Sequence, residues 1–163
     1  MVILTKTDVN DIPFIVGCLE NKPYDYAAQC GYGNRFFTFP VTAKQISDFQ
    51  ASRKNSLFFT IYSDKTKVGS FELMTDNAKN ECSIARLLIH DDYKNKGYGT
   101  ETLKIFAKYA FDELKMEKIR LSVYDFNKNA LRCYEKAGFV ETKRETRENG
   151  WVSISMEISR TDS

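Results

Sequence analysis

The spacing of apolar residues along the chain predicts helices at four places. The clearest helix covers residues 100–114, where apolar side chains recur every three or four positions. The same spacing predicts a helix over residues 8–19, and Pro13, which is tolerated only in a first turn, places its start near Asn10. A short helix is expected over residues 129–136, with Gly138 as its C-terminal stop. A capping box over residues 42–45 predicts the start of a short helix that places Ile46 and Phe49 inward. An aromatic stretch over residues 24–39 has no clear period.

Segments that alternate or are rich in β-branched and aromatic residues, bounded by polar turns, predict six strands. The expected strands cover residues 56–62, 67–74, 81–90, 119–123, 139–145 and 151–158. Polar turns separate the first three strands, which predicts an antiparallel meander, and Asn149-Gly150 predicts a hairpin between the last two. The alternation fails at Leu87, Leu88 and Ile89, which indicates either burial on both faces or a local bulge.

These elements predict one mixed α/β (α+β) domain over residues 1–163. We expect a central, twisted, mostly antiparallel sheet of about six or seven strands, flanked by helices. The strands at 81–90 and 119–123 are expected to be parallel, because the long helix at 100–114 connects them.

Composition and charge exclude several classes of function. With 24 basic and 22 acidic residues the net charge is +2, too balanced for a general nucleic-acid binder. One histidine and four widely spaced cysteines predict no metal site and no disulfide. No apolar run is long enough for a signal-peptide core or a membrane span, so we expect a cytoplasmic protein without a membrane partner.

The segment from Lys94 to Thr100 combines two glycines and two lysines just before the strongest helix. Glycines allow a tight turn, and the free N–H groups of a helix's first turn attract anions, so this segment predicts a phosphate cradle. A plain glycine-rich connection with solvated lysines is the alternative. A P-loop is absent, and Thr102 stands where a dinucleotide-binding fingerprint needs glycine.

Residues 81–140 resemble the core of the GNAT acetyltransferase superfamily. Its pyrophosphate motif, Gln/Arg-x-x-Gly-x-Gly/Ala, corresponds here to Lys94-x-x-Gly97-x-Gly99, with lysine as a departure. A second block of the family follows at the usual distance and comprises Asn127, Ala130, Tyr134, Gly138 and Phe139. The two motifs in this order are specific together, and the layout of the remaining elements fits the same fold.

The resemblance implies that acetyl-CoA is the cosubstrate and that no metal takes part. It implies a pantetheine arm paired with the strand at Leu87 and Ile89, with the Leu87 N–H on the thioester carbonyl. Asn127 would bond the pantetheine and Tyr134 would stand beside the sulfur. The implied cofactor-binding residues are Leu87, Leu88, Ile89, Lys94, Asn95, Lys96, Gly97, Tyr98, Gly99, Thr100, Asn127 and Tyr134.

The implied reaction is direct attack of a primary amine on the thioester in a ternary complex, with Tyr134 as general acid. An aromatic core role is the alternative for Tyr134. The family's usual strand glutamates correspond to Ser83 and Ser122, so the base is open. The candidates are Glu81, Glu72, or a water relayed through Ser83 or Ser122, and a structural carboxylate is the alternative reading of either glutamate.

The acceptor is expected to be a small-molecule amine or a protein N-terminus. Tyr24, Tyr32, Phe37 and Trp151 fall where the resembled family lines its acceptor side, although core packing is the alternative for most of these aromatics. Two other classes of function stay open, namely a non-catalytic acyl-CoA-binding or regulatory module and a nucleotide-binding domain. The resemblance also allows a homodimer.

Overall fold

The computed structural model describes residues 1–160. Within them the chain forms five α-helices and seven β-strands. The helices are Ile12–Leu19 (α1), Tyr24–Gln29 (α2), Ala43–Ser52 (α3), Tyr98–Asp112 (α4) and Lys128–Lys136 (α5). The strands are Val2–Lys6 (β1), Ser56–Ser63 (β2), Thr66–Asp76 (β3), Glu81–Ile89 (β4), Lys118–Tyr124 (β5), Val140–Thr146 (β6) and Val152–Ser159 (β7).

The strands form a seven-stranded sheet in the order β1-β2-β3-β4-β5-β7-β6. Four pairs of neighbouring strands are antiparallel, namely β1–β2, β2–β3, β5–β7 and β6–β7. β4 and β5 are parallel, with Glu81, Cys82 and Ser83 opposite Lys118, Ile119 and Arg120. This confirms the predicted mixed α+β fold and the predicted parallel pair.

The contacts divide the chain into two compact units. The first unit comprises Met1–Met74 and Ala85–Tyr98, and the second comprises Thr75–Ile84 and Gly99–Ser163. The core of the first unit is built by α1, α3 and the aromatic segment, including the buried residues Ile15, Ile46 and Phe49. In the second unit the apolar stripe of α4 is buried as its spacing predicts.

Four local details differ from the sequence-based prediction. β1 was not predicted, and α2 lies inside the aromatic stretch that shows no period. Residues 9–11 form a 3-10 turn, so the α-helix that was expected to start near Asn10 begins at Ile12, with Pro13 in its first turn. At α3 the Thr42 hydroxyl accepts from the Gln45 N–H at 3.3 Å, but the Gln45 side chain bonds Thr38 instead of completing the capping box.

Candidate functional site

The segment before α4 has the backbone geometry of an open cradle. Asn95 and Gly97 adopt left-handed conformations, with φ of 61° and 84°. A Cβ at Gly97 would meet no heavy atom within 4 Å, and residues 95–97 are exposed. Helix α4 begins directly afterwards at Tyr98, and the N–H groups of a helix's first turn have no partner within the helix. The segment therefore fits a pyrophosphate group.

Gly99, the second glycine of the motif, is needed for a different reason. A Cβ at this position would lie 3.0 Å from the Cys133 Sγ on α5, which is closer than side chains normally pack. The Thr100 hydroxyl also donates to the same sulfur at 3.4 Å. The spacing of the two glycines thus combines an open turn at Gly97 with close packing of α4 on α5.

Lys94 was expected to bind phosphate, but its ammonium group is already engaged by other side chains. Its ammonium group lies 2.7 Å from an Asp91 carboxylate oxygen and donates to the Tyr26 hydroxyl. The same ammonium stands 4.4 Å from the centre of the Tyr26 ring. Asp91 also pairs with Lys22, and the hydrogen bonds from Lys22 and Lys94 lower the Asp91 pKa to about 2. Lys96, in contrast, is exposed.

The broken alternation in β4 has a local cause. Arg86 adopts a left-handed conformation with φ of 53° inside the strand. Such a conformation is strained for a residue with a Cβ and interrupts the extended backbone. Leu87 follows immediately. Of Leu87, Leu88 and Ile89, only Leu88 is fully buried. The strand predicted to carry the pantetheine therefore changes direction just before Leu87.

The second unit positions Asn127 and Tyr134 on α5. The Asn127 Oδ1 accepts from the Ala130 N–H at 3.3 Å and caps the helix. Because the oxygen serves this cap, the side-chain amide nitrogen is the group that can donate to a ligand carbonyl. Tyr134 is 9% exposed, in the last turn of the helix, with its ring 6.5 Å from that of Phe139.

The candidate bases differ in their surroundings. Glu72 is fully buried and binds two guanidinium groups, Arg86 at 2.6 Å and Arg53 at 2.9 Å. Both of its oxygens are engaged, which favours a structural role over proton transfer. Glu81 is partly exposed, and its Oε1 lies 3.4 Å from the Nη2 of Arg120.

The two serine candidates lie on neighbouring strands. Ser83 is half-buried on β4, opposite Arg120 of β5. Ser122 is exposed on β5, opposite Ser155 of β7.

Of the four predicted acceptor residues, two lie in the core. Tyr32 and Phe37 are 5% and 4% exposed, with ring centres 5.0 Å apart, so their burial favours core packing. The Tyr24 hydroxyl accepts from the Asn34 N–H at 3.1 Å. Trp151 is half-buried and stacks edge-on against two rings that the sequence reasoning did not select, Tyr124 at 4.8 Å and Phe126 at 5.0 Å.

No group of three or more histidine, cysteine or acidic side chains within residues 1–160 could hold a metal ion. No helix in the same part of the chain has both the length and the apolar character needed to cross a bilayer.

Comparisons with known proteins agree with this geometry. Residues 18–139 match the profile of the acetyltransferase (GNAT) family. An uncharacterized prophage-derived N-acetyltransferase, YokL of Bacillus subtilis, is 28% identical over 106 residues, covering 63% of this chain and 60% of that protein. Spermidine N(1)-acetyltransferase of Escherichia coli is 31% identical over 81 residues, covering 50% of this chain and 44% of that protein.

The fold also matches that of a solved structure. Spermidine N-acetyltransferase of Vibrio cholerae, in complex with CoA and spermine, superposes with a TM-score of 0.82 at 19% identity, covering 99% of this chain and 96% of that one. The sequence matches span less than two thirds of the relatives' own length. Since the family profile covers well over half of the residues, this chain belongs to the GNAT acetyltransferase family.

Proposed function

We propose that the chain is an N-acetyltransferase that uses acetyl-CoA to acetylate a primary amine. The observation that carries the proposal is the open left-handed turn at Gly97, which leads directly into α4. Anions bind at such a helix N-terminus because its N–H groups and dipole favour negative charge. Membership in the family and the N-acetyltransferase relatives support the same activity.

The residues named above would hold the cosubstrate, which supplies the acetyl group as a thioester. The amides of residues 95–100 would bind the pyrophosphate, with Lys96 as the exposed charge. Leu87 and Ile89 would pair with the pantetheine, and the Asn127 amide would donate to one of its carbonyls. The Leu87 N–H would donate to the thioester carbonyl oxygen, where negative charge develops during attack.

Tyr134 would give a proton to the leaving sulfur. A positioned phenol hydroxyl can protonate a thiolate as it leaves. Replacing Tyr134 with Phe is expected to lower kcat about 100-fold and to leave the Kd for acetyl-CoA nearly unchanged. Tyr109→Phe, on the exposed face of α4, is the matched control and should keep full turnover. Equal kcat in both variants, with chemistry rate-limiting, would remove Tyr134 as the acid.

The base would be a water relayed through Ser83 or Ser122, or the Glu81 carboxylate. Glu72 is the least suited of the candidates because two arginines engage it. The alternatives differ in their effect on the pH profile of kcat/KM. Glu81→Gln should remove the acidic limb if Glu81 is the base, whereas Ser83→Ala or Ser122→Ala should lower the rate at every pH if water is relayed there.

The acceptor would be a small-molecule amine or a protein N-terminus. Relatives include spermidine acetyltransferases and, at 41% identity over 61 residues, N-alpha-acetyltransferase 30 of Xenopus laevis. That last match covers 37% of this chain and 22% of the Xenopus protein. A cytoplasmic location and a homodimer stay predictions.

Thermal unfolding with acetyl-CoA, CoA, NADH and ATP side by side tests the proposal. A ligand at 100 times its Kd stabilises by about 2.7 kcal/mol, or roughly 5–10 °C for a chain of this size. We expect this shift with acetyl-CoA and CoA, together with amine-dependent release of CoA thiol. A shift without thiol release across an amine panel would favour a non-catalytic acyl-CoA-binding module. A shift with NADH or ATP alone would contradict the proposal.

A further inference from the structure

Three arginines surround one aromatic ring in the first unit. The guanidinium carbon of Arg35 lies 5.0 Å from the ring centre of Phe36, and those of Arg53 and Arg86 lie 5.4 Å from it. Arg53 and Arg86 also stand 5.0 Å and 4.6 Å from the ring centre of Phe49. We call these five residues the arginine–aromatic cluster.

The cluster carries more positive than negative charge. Among residues 1–160 its ion pairs within 4.0 Å go to one carboxylate, Glu72, which binds Arg53 and Arg86. Arg53 and Arg86 against one carboxylate leave one excess positive charge in a partly buried place, and the exposed Arg35 adds a second at the surface. Unbalanced charge in a partly buried place is costly, and an anion bound there would offset it.

The free-energy cost of unbalanced positive charge is greatest at Arg86. Its side chain is 9% exposed, and its buried Nε–H has no hydrogen-bond partner among the described residues. Burial lowers the pKa of Arg86, against the opposing effect of Glu72. A nearby anion would therefore stabilise this guanidinium further, even without touching the Nε–H itself.

The cluster also reaches the surface. The Arg53 side chain is 24% exposed, while Arg35 and Phe36 are exposed. The Nη2 of Arg53 lies 3.1 Å from the Met74 sulfur, and a thioether is a weak acceptor that an oxygen anion would displace. A planar guanidinium beside an aromatic ring suits binding of carboxylate or phosphate.

The position of the cluster along the chain connects it to the reaction. Arg86 directly precedes Leu87, which the proposed function places at the thioester carbonyl. Gly31 packs closely against Arg86, since a Cβ at Gly31 would lie 2.6 Å from the Arg86 Cγ. Because Leu87 adjoins Arg86, an amine that attacks beside Leu87 extends its other end toward the arginines around Phe36.

We propose that the arginine–aromatic cluster binds an anionic group, a carboxylate or a phosphate, carried by the acceptor amine. This inference rests on the proposed function, because it names the substrate class of the same site. It distinguishes the chain from relatives named for spermidine, whose acceptor is a polycation. The exposed Arg35 and Arg53 would contact the anion, and Arg86 would add charge from behind.

Matched acceptor pairs test the substrate class. The pairs are 4-aminobutyrate against its neutral amide, and phosphoethanolamine against ethanolamine, with spermidine as the cationic acceptor. Binding to the CoA-loaded protein is measured by calorimetry, and kcat/KM by CoA release. We expect the anionic member to bind at least tenfold more tightly in one pair, and that pair identifies carboxylate or phosphate. Neutral amines or spermidine binding as well as the anionic members would overturn the inference.

Two variants tie the preference to the cluster. Arg35→Gln and Arg53→Lys should each reduce the preference for the anionic acceptor several-fold, and the neutral member of the pair should be unaffected. Arg53→Lys retains the charge but loses the planar fork. Lys54→Gln removes an exposed charge next to Arg53 and should change nothing. An unchanged preference in both arginine variants would also overturn the inference.

The same data separate this inference from the proposed function. Anionic amines that bind through the arginines without any release of CoA would contradict the acetyltransferase activity and support the anion site. Acetylation of neutral and anionic amines at equal rates would support the activity and contradict the anion site.

Discussion

Gly31 and Gly97 have nearly the same left-handed backbone, with φ of 89° and 84°, but opposite surroundings. A Cβ at Gly31 would lie 2.6 Å from the Arg86 Cγ, whereas a Cβ at Gly97 would meet nothing within 4 Å. One glycine lets a side chain pack closely against the backbone. The other leaves space beside exposed N–H groups, as a ligand-binding turn requires.

The two regions around these glycines differ in the same way. Near Gly31, buried rings and the Glu72 ion pairs hold the chain together, and substitutions there should reduce the stability. The segment at Gly97 is exposed, so substitutions there should change ligand binding more than stability. Mutations placed in each region can separate these two kinds of effect.

The largest effect is expected from Glu72→Ala. Removal of this carboxylate leaves Arg86 and Arg53 without their shared partner in a largely buried place. Breaking a buried ion pair by removing one partner costs about 3–5 kcal/mol of unfolding free energy. Urea unfolding at neutral pH measures the difference from the unmodified chain.

Glu141→Ala is the matched control, because Glu141 pairs with Arg144 at 2.8 Å on an exposed strand. Its removal should cause a much smaller loss than Glu72→Ala, as is typical of exposed pairs. Similar losses in both variants would show that burial does not distinguish the two regions. A Glu72→Ala chain as stable as the unmodified one would contradict the structural role of Glu72.

A smaller difference is expected between alanine substitutions at the two glycines. Gly97→Ala should cost about 1–2 kcal/mol, the penalty of a left-handed conformation for alanine. Gly31→Ala should cost about 1–3 kcal/mol more, because the added methyl group also overpacks against Arg86. Urea unfolding of the two variants gives the difference directly. Equal losses of unfolding free energy in the two variants would mean that the Arg86 side chain moves away from the added methyl group with little loss of stability.

The comparison also shows which features could be predicted from local sequence. The cradle at residues 94–100 was predictable, because its glycine spacing and the following helix are determined within a few residues. β1 was not, because only Val2 of its five residues is fully buried and its pairing partner β2 lies more than fifty residues later. A short edge strand is specified mainly by such distant pairing.

The surroundings of the candidate base could not be predicted for the same reason. The carboxylate of Glu72 on a strand is visible in the sequence, but its partners Arg53 and Arg86 are 19 and 14 residues away. Likewise, burial of Tyr32 and Phe37 depends on contacts with α3, for example Phe37 with Phe49 at 4.9 Å. One local signal was present, namely Arg86 as a charge inside an apolar strand.

Gly97→Asp should weaken acetyl-CoA binding tenfold or more with a loss of stability close to that of Gly97→Ala. The aspartate places a negative charge where the pyrophosphate is proposed to bind, and it adds no clash because the position is open. Calorimetric titration measures the Kd, and Gly97→Ala isolates the effect of the backbone. Equal affinity in the Asp and Ala variants would contradict the phosphate role of this turn.

The smallest effect is expected from the titration of Asp91 beside the cradle. Hydrogen bonds from Lys22 and Lys94 lower its pKa from 3.8 to about 2. Since the folded-state pKa lies below the unfolded one, the stabilisation is complete above about pH 5 and is lost as the pH falls toward 2. The carboxylate is half-exposed, so solvent screening limits the contribution to less than about 1 kcal/mol.

Asp91→Asn isolates this contribution from that of the other carboxylates. The difference in unfolding free energy between the unmodified chain and the variant should shrink as the pH falls from 5 to 2, and urea unfolding at four pH values measures it. A difference that stays constant would show that Lys22 and Lys94 do not hold the Asp91 carboxylate in its charged form. Lys94 would then be free to bind phosphate, and the cradle would have two lysines rather than one.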